Sequence, residues 1–307
     1  MEDIELLQLP LAFQNGSARL LTGDLVVRDI ERWCYRKADK SGVKPVMAVV
    51  YFNTGADAID YVKIKAHVAA RAGVSYWVYE MPVDASTTQV MSQVKKLNKN
   101  PRIHGILIQR PLPRQLNEPE IMRSINPIKN IEEYAKGRAN NIAADALIRL
   151  LAKYGLLESA QQARIQIVGF GNIITKEFVK QMKSQFPYVS ASRGFDPSYD
   201  EHEALRMEVE TPRDSIIISE LHRGPGFIKS SMVKPEVSVL VDLGFYVTEK
   251  GVIGDASHAL FDRSSLAISP TPGGVLPILL WIMMERTIKA KNLIMKEELQ
   301  GCHCLTM

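Results

Sequence analysis

Apolar residues in this chain alternate between short unbroken runs and longer stretches repeating every three or four positions, and this alternation predicts a layered α/β fold. Residues 18–41 read as a helix, with Leu20, Leu21, Leu25, Ile30 and Trp33 near helical spacing. Val46-Met-Ala-Val-Val-Tyr51 is an apolar run of the kind a buried parallel strand shows. A turn at Asn53-Thr-Gly55 leads into a helix that Gly73 stops. A strand over 74–79, a helix over 87–97 and a strand over 105–109 follow, the last ending at Arg110-Pro111. A helix over 144–154 then opens a second unit. Its predicted strands cover 164–168, 189–192, 215–219, 237–242 and 266–269, with a helix from about residue 173 after the first of them. A long apolar-periodic helix over 276–290 closes the pattern. Strand–helix–strand alternation of this kind implies parallel strands joined by right-handed crossovers.

Length and composition narrow the class. A chain of 307 residues, 46% apolar and 23% charged, has the make-up of a soluble globular protein with room for two domains. The net charge of +4 is spread out rather than gathered in a basic block. It suits an anionic metabolite or phosphate and argues against a nucleic-acid partner. The opening Met1-Glu-Asp-Ile-Glu5 lacks a secretory signal pattern. No apolar run reaches the roughly 18 residues needed to span a membrane. Cys34, Cys302 and Cys304 are too few for a disulfide framework, so a reducing, cytoplasmic compartment is expected. Cys302-His303-Cys304 supplies too few ligands for a metal centre, and no metal is expected. Cys304-Leu-Thr-Met307 fits the loose prenylation pattern, with a disordered tail as the other reading.

Three places carry candidate chemistry. Tyr61 and Lys65 lie one helical turn apart, so a phenol and an amine can share one pocket; the same spacing also suits a solvated helix face. Gln109 ends an apolar strand, where α/β folds build their sites, and its amide can orient a neighbouring lysine. A lysine works as a base only if desolvation or a nearby cation lowers its pKa, and Arg110 and Lys63 are the local cations. Gly169-Phe-Gly171, between a strand and a helix, sits where a dinucleotide-binding turn belongs, though Ile174 replaces the third glycine of the usual pattern. A tight strand-to-helix turn is the alternative. Arg193, at the end of the next strand, could meet a ribose 2′-phosphate or be a plain surface arginine. Pro270-Thr-Pro-Gly-Gly-Val-Leu-Pro277 is rigid and glycine-rich, a loop that lets backbone approach a ligand closely.

Taken in order, these residues resemble the methylenetetrahydrofolate dehydrogenase/cyclohydrolase family. Tyr61-x-x-x-Lys65, Gly105-Ile-Leu-Ile-Gln109-Arg-Pro-Leu-Pro113 and Thr271-Pro-Gly-Gly-Val-Leu-Pro277 match its signature blocks, with Ile125-Asn-Pro-Ile-Lys129 and Glu285-Arg-Thr-Ile-Lys-Ala290 as further segments. The resemblance implies a two-domain α/β protein: residues 1–145 with 275–307 as a discontinuous folate-binding catalytic domain, and 146–274 as an inserted Rossmann-like domain. It implies Lys65 as the acid/base residue of the cyclohydrolase step, Gln109 tuning it, and Tyr61 stacking on the substrate's aminobenzoyl ring. Glu132 and the Pro272, Gly273, Gly274 loop would bind the tetrahydrofolate substrate. Gly169, Phe170, Gly171, Asn172, Ile173, Arg193 and Phe245 would hold NADP, or NAD in its place. A homodimer is expected on the same ground.

The chain also departs from the family. Its Asp-Val-Asp-Gly stretch is Asn130-Ile-Glu-Glu133 here, its serine before the tyrosine is Ala58, and its Cys-Thr-Pro segment is Ile142-Ala-Ala144. In the dinucleotide turn the usual Arg-Ser pair is Phe170-Gly171, and a proline becomes Glu177. Losing an arginine and gaining a glutamate weakens anion binding. Two readings follow: a divergent working enzyme of one-carbon metabolism, or a binding or scaffold protein on an enzyme's fold.

Overall fold

The computed structural model describes residues 16–38, 42–54, 56–133, 141–169, 171, 173–192, 215–249 and 251–303, the side chains of 56–61 and 298–303 excepted. The chain begins with β1 (Arg19–Leu20), α1 (Asp24–Ala38), β2 (Val46–Phe52), α2 (Ala56–Arg71), β3 (Ser75–Met81), α3 (Thr87–Lys99), β4 (Gly105–Ile108) and α4 (Glu118–Ser124). It continues with α5 (Ile142–Lys153), α6 (Leu157–Gln162), β5 (Arg164–Gly169), α7 (Lys176–Gln185), β6 (Val189–Ser192), β7 (Ser215–Glu220) and β8 (Val237–Asp242). The hairpin β9 (Tyr246–Thr248) and β10 (Gly251–Ile253), then β11 (Ala267–Ser269) and α8 (Val275–His303), complete it.

Two compact units result. One joins Arg28–Ile142 to the chain from Leu280 onward; the other joins residues up to Val27 to Ala143–Leu279. In the first unit three strands pair in parallel in the order β3-β2-β4. All seven residues of β2 are buried, as expected for a central parallel strand covered on both faces. Val46, Ala48, Val50 and Phe52 pack with Val90, Val94 and Leu97 of α3 and with Ile106 and Ile108 of β4. A capping box at Ser86 and Gln89 fixes the start of α3, so its apolar stripe meets the sheet in register.

The second unit carries six parallel strands in the order β1-β11-β8-β7-β5-β6. Val168, Ile217, Leu240 and Ile268 build its core beneath Ile228, Leu260 and Phe261. Residues 18–41 do not form one helix: Leu21 N–H bonds to Ile268 O, and α1 starts only at Asp24. Gly23 is the reason. Its N–H bonds to Gly273 O, and a side chain there would collide with Gly274 O, so the chain must turn at that point. β1 thereby belongs to the six-stranded sheet rather than to the first domain expected for residues 1–145.

Candidate functional site

The first cluster stands at the carboxyl end of β4 and on α2. Lys65 is 5% exposed, and burial pushes its ammonium down to about 8 while the Glu132 carboxylate partly opposes the shift. A lysine there is partly neutral near physiological pH, as proton transfer requires. Of the two causes the sequence left open, desolvation and a nearby cation, desolvation is the one at work. Arg110 is tied elsewhere: its guanidinium donates to Glu118 Oε1 at 2.7 Å and pairs with Glu132 Oε1. Glu132 is further fixed through its backbone, its N–H bonding to Asn130 Oδ1 at 3.1 Å and its carbonyl accepting from Arg286 Nη1 at 2.9 Å.

Gln109 donates from Nε2 to the carbonyl of Arg110, while its Oε1 is buried with no hydrogen-bond partner. It does not orient Lys65 by accepting from it. Glu132 Oε2 is likewise buried and unpartnered. A buried acceptor left without a donor costs about 1–3 kcal/mol, so two in one cluster mark a place where a ligand's N–H or O–H groups belong. Thus Lys65 and Glu132 come together and Arg110 links Glu132 to the strand end of Gln109. The side chain of Tyr61 lies outside the described residues.

The second cluster lies in the other unit, at the carboxyl ends of β5, β7 and β8. Gly169 has φ of 95°, and a Cβ there would collide with the backbone carbonyl of Glu220. Gly171 is equally confined, by the side chains of His222 and Glu220. Glu220, 2% exposed, accepts hydrogen bonds from Ile173 N–H at 3.1 Å and Ile174 N–H at 2.6 Å. Two backbone N–H groups of the turn are thus held by a carboxylate of the same chain. Phe170, Asn172 and Arg193 lie outside the described residues. Phe245 is half-buried just beyond β8.

Beside this turn sits a carboxylate pair that periodicity gave no hint of. Asp242 accepts from Gly244 N–H at 3.0 Å, Asp255 N–H at 2.9 Å and Ala256 N–H at 2.8 Å. Asp255 accepts from Leu221 N–H at 3.0 Å and from the Tyr246 hydroxyl at 2.9 Å. Burial and mutual repulsion raise the pKa of Asp242, and burial raises that of Asp255. The spacing of Gly244 and Gly254 was the available signal, since a Cβ at either would strike one of these carboxylates. Asp242 also lends its carbonyl to Thr271 Oγ1 at 2.7 Å, anchoring the loop of Pro272, Gly273 and Gly274. Those three residues are buried, and Gly273 adopts a φ of 98°. Among the described residues no group of three His, Cys, Asp or Glu is placed to hold a metal, and no helix is long and apolar enough to cross a membrane.

Comparison with known proteins agrees with the two-unit α/β fold. The family model "Tetrahydrofolate dehydrogenase/cyclohydrolase, catalytic domain" matches residues 21–132, and that for the NAD(P)-binding domain matches residues 142–294. The bifunctional protein FolD of Wolinella succinogenes is 28% identical over 260 residues, covering 81% of this chain and 87% of the relative. That of Psychrobacter sp. is 25% identical, covering 90% and 97%. Among solved structures, bifunctional FolD from Campylobacter jejuni superposes with a TM-score of 0.73 at 22% identity, covering 90% of this chain and 99% of that one. The Trypanosoma brucei dehydrogenase–cyclohydrolase, solved with NADP and an inhibitor, gives 0.73 at 20% identity, with 90% and 97% covered. The chain belongs to the tetrahydrofolate dehydrogenase/cyclohydrolase family.

Proposed function

We propose that this protein is a bifunctional enzyme of one-carbon metabolism, oxidising 5,10-methylenetetrahydrofolate and hydrolysing the resulting 5,10-methenyltetrahydrofolate. The observation that carries the reading is Lys65: a buried amine with its pKa lowered to about 8 beside the Glu132 carboxylate. In the hydrolytic step neutral Lys65 takes a proton from the water that attacks the methenyl carbon. The resulting ammonium returns that proton to the ring nitrogen as its bond to carbon breaks, while the hydroxyl left by the water gives its remaining proton to solvent and becomes the carbonyl of the formyl group on the other nitrogen. Glu132 keeps part of the cationic character of Lys65 and so sustains its acid role. Gln109 Oε1 and Glu132 Oε2 accept from donor groups of the folate, which meets their missing bonds. Tyr61 stacks on the aminobenzoyl ring, and Pro272, Gly273 and Gly274 contribute substrate-binding backbone.

NADP, or NAD in its place, is held by Gly169, Gly171 and Ile173 with their neighbours Phe170 and Asn172, by Arg193 on the 2′-phosphate and by Phe245. When bound, the nicotinamide supplies the acceptor for the hydride leaving the methylene carbon. The unit of Arg28–Ile142 with the chain from Leu280 onward is the catalytic part and Ala143–Leu279 the dinucleotide part, and the enzyme works as a cytoplasmic homodimer. The deciding experiment follows methenyl-folate formation from 5,10-methylenetetrahydrofolate with NADP or NAD, then its hydrolysis. Turnover in both steps is expected; a purified, folded protein active in neither refutes the assignment.

A further inference from the structure

The amides of the glycine turn already have an anion. Glu220 is the last residue of β7, paired in parallel register with Gly169 of β5, and this pairing aims its side chain across the turn. Both carboxylate oxygens lie 3.1 Å from Ile173 N, and Oε2 accepts from Ile174 N–H at 2.6 Å. Gly171 has no side chain to keep the carboxylate out, and His222 Nε2 stands 3.5 Å from Glu220 Oε1. Backbone N–H groups converging on a carboxylate are the donors a pyrophosphate uses in such a turn.

We propose that Glu220 is an internal competitor for the dinucleotide phosphate, so that cofactor binding requires its carboxylate to leave the Ile173 and Ile174 amides. The inference rests on the reading of this turn as the dinucleotide site. Two physical effects act together. A phosphate arriving at the turn finds its donors engaged, so apparent affinity falls by the fraction of molecules with the carboxylate in place. A carboxylate that remains nearby adds like-charge repulsion at short range. His222, 47% exposed and next to the carboxylate, is the partner available to a displaced Glu220 when its imidazole is protonated. Glu220 therefore determines cofactor affinity without forming part of the cofactor's own binding surface.

The test is calorimetric titration of NADP and NAD into the full-length protein and into Glu220→Ala and Glu220→Gln, with thermal melts to establish that each is folded. Both variants should bind dinucleotide more tightly, by roughly ten- to a hundredfold, the range of a charge-assisted hydrogen bond. Folate binding serves as the unaffected reference. In the unmodified protein, dinucleotide should shift the Ile173 and Ile174 amide resonances, because their acceptor changes. Equal or weaker binding in folded variants, or unmoved amide resonances on saturation, overturns the competitor role and leaves the dinucleotide site standing. Failure of all three proteins to bind either dinucleotide overturns both.

Discussion

The two clusters handle buried polar groups in opposite ways. In the cluster with Lys65 two acceptors, Gln109 Oε1 and Glu132 Oε2, are buried without partners. In the glycine turn the donors are already answered, since Ile173 and Ile174 N–H bond to Glu220. The first arrangement stores a polar deficit that a bound molecule relieves. The second resembles a liganded state without a ligand. A folate should therefore meet a prepared surface, whereas a dinucleotide must first break bonds that the folded chain makes with itself.

The largest expected effect sharpens the first half of that contrast. Lys65→Ala should lower cyclohydrolase turnover by about 10²- to 10⁴-fold, the usual contribution of a positioned acid or base, while far-ultraviolet dichroism stays unchanged. Near-normal hydrolysis by the folded variant would remove Lys65 from the chemistry. Arg110→Leu tests whether the cluster depends on the guanidinium that pairs with the Glu132 carboxylate. It leaves the Glu132 carboxylate buried without its paired guanidinium and should cost about 3 kcal/mol in urea denaturation; an unchanged midpoint would mean that Glu132 relaxes to water or to Lys65.

A subtler change concerns pH. If neutral Lys65 is the base, cyclohydrolase activity should rise through about pH 8. Glu132 raises the pKa of Lys65, so Glu132→Gln should move that limb to lower pH, by about one unit for a charge at this range. A limb that stays in place, or moves upward, contradicts the coupling. The smallest effect belongs to the dinucleotide side: Arg193→Ala should weaken NADP about tenfold and NAD little, as loss of one phosphate-pairing cation would. Equal losses for both cofactors would take Arg193 off the 2′-phosphate.

Legibility in the sequence followed sequence distance. The strands β2, β4, β5, β7 and β8 were readable because buried parallel strands are continuous apolar runs. Lys65 and Gln109 could be singled out as candidates because a helix turn and a strand end are local features. The hairpin β9–β10 and the short helices α4 and α6 were not, being too brief to establish a period. The residues from 18 onward looked helical because Leu20 and Leu21 fit the spacing, whereas a strand pairing with β11, far along the chain, claimed them. Glu220 was invisible for the same reason. It lies 46 positions from Ile174, and only the register of β5 with β7 brings carboxylate and amide together.

The interleaving of the two units has a consequence during synthesis. Neither unit is a contiguous stretch of chain, and the one holding Lys65 draws on residues from Leu280 onward. Lys291 of α8 is fully buried there, its Nζ donating to the carbonyls of Ala38 at 3.2 Å and Val43 at 3.1 Å. A nascent chain therefore emerges with β2, β3 and β4 already made and their covering helix still inside the ribosome. Those apolar strands must wait, exposed to chaperones or to one another, until α8 has been made and released.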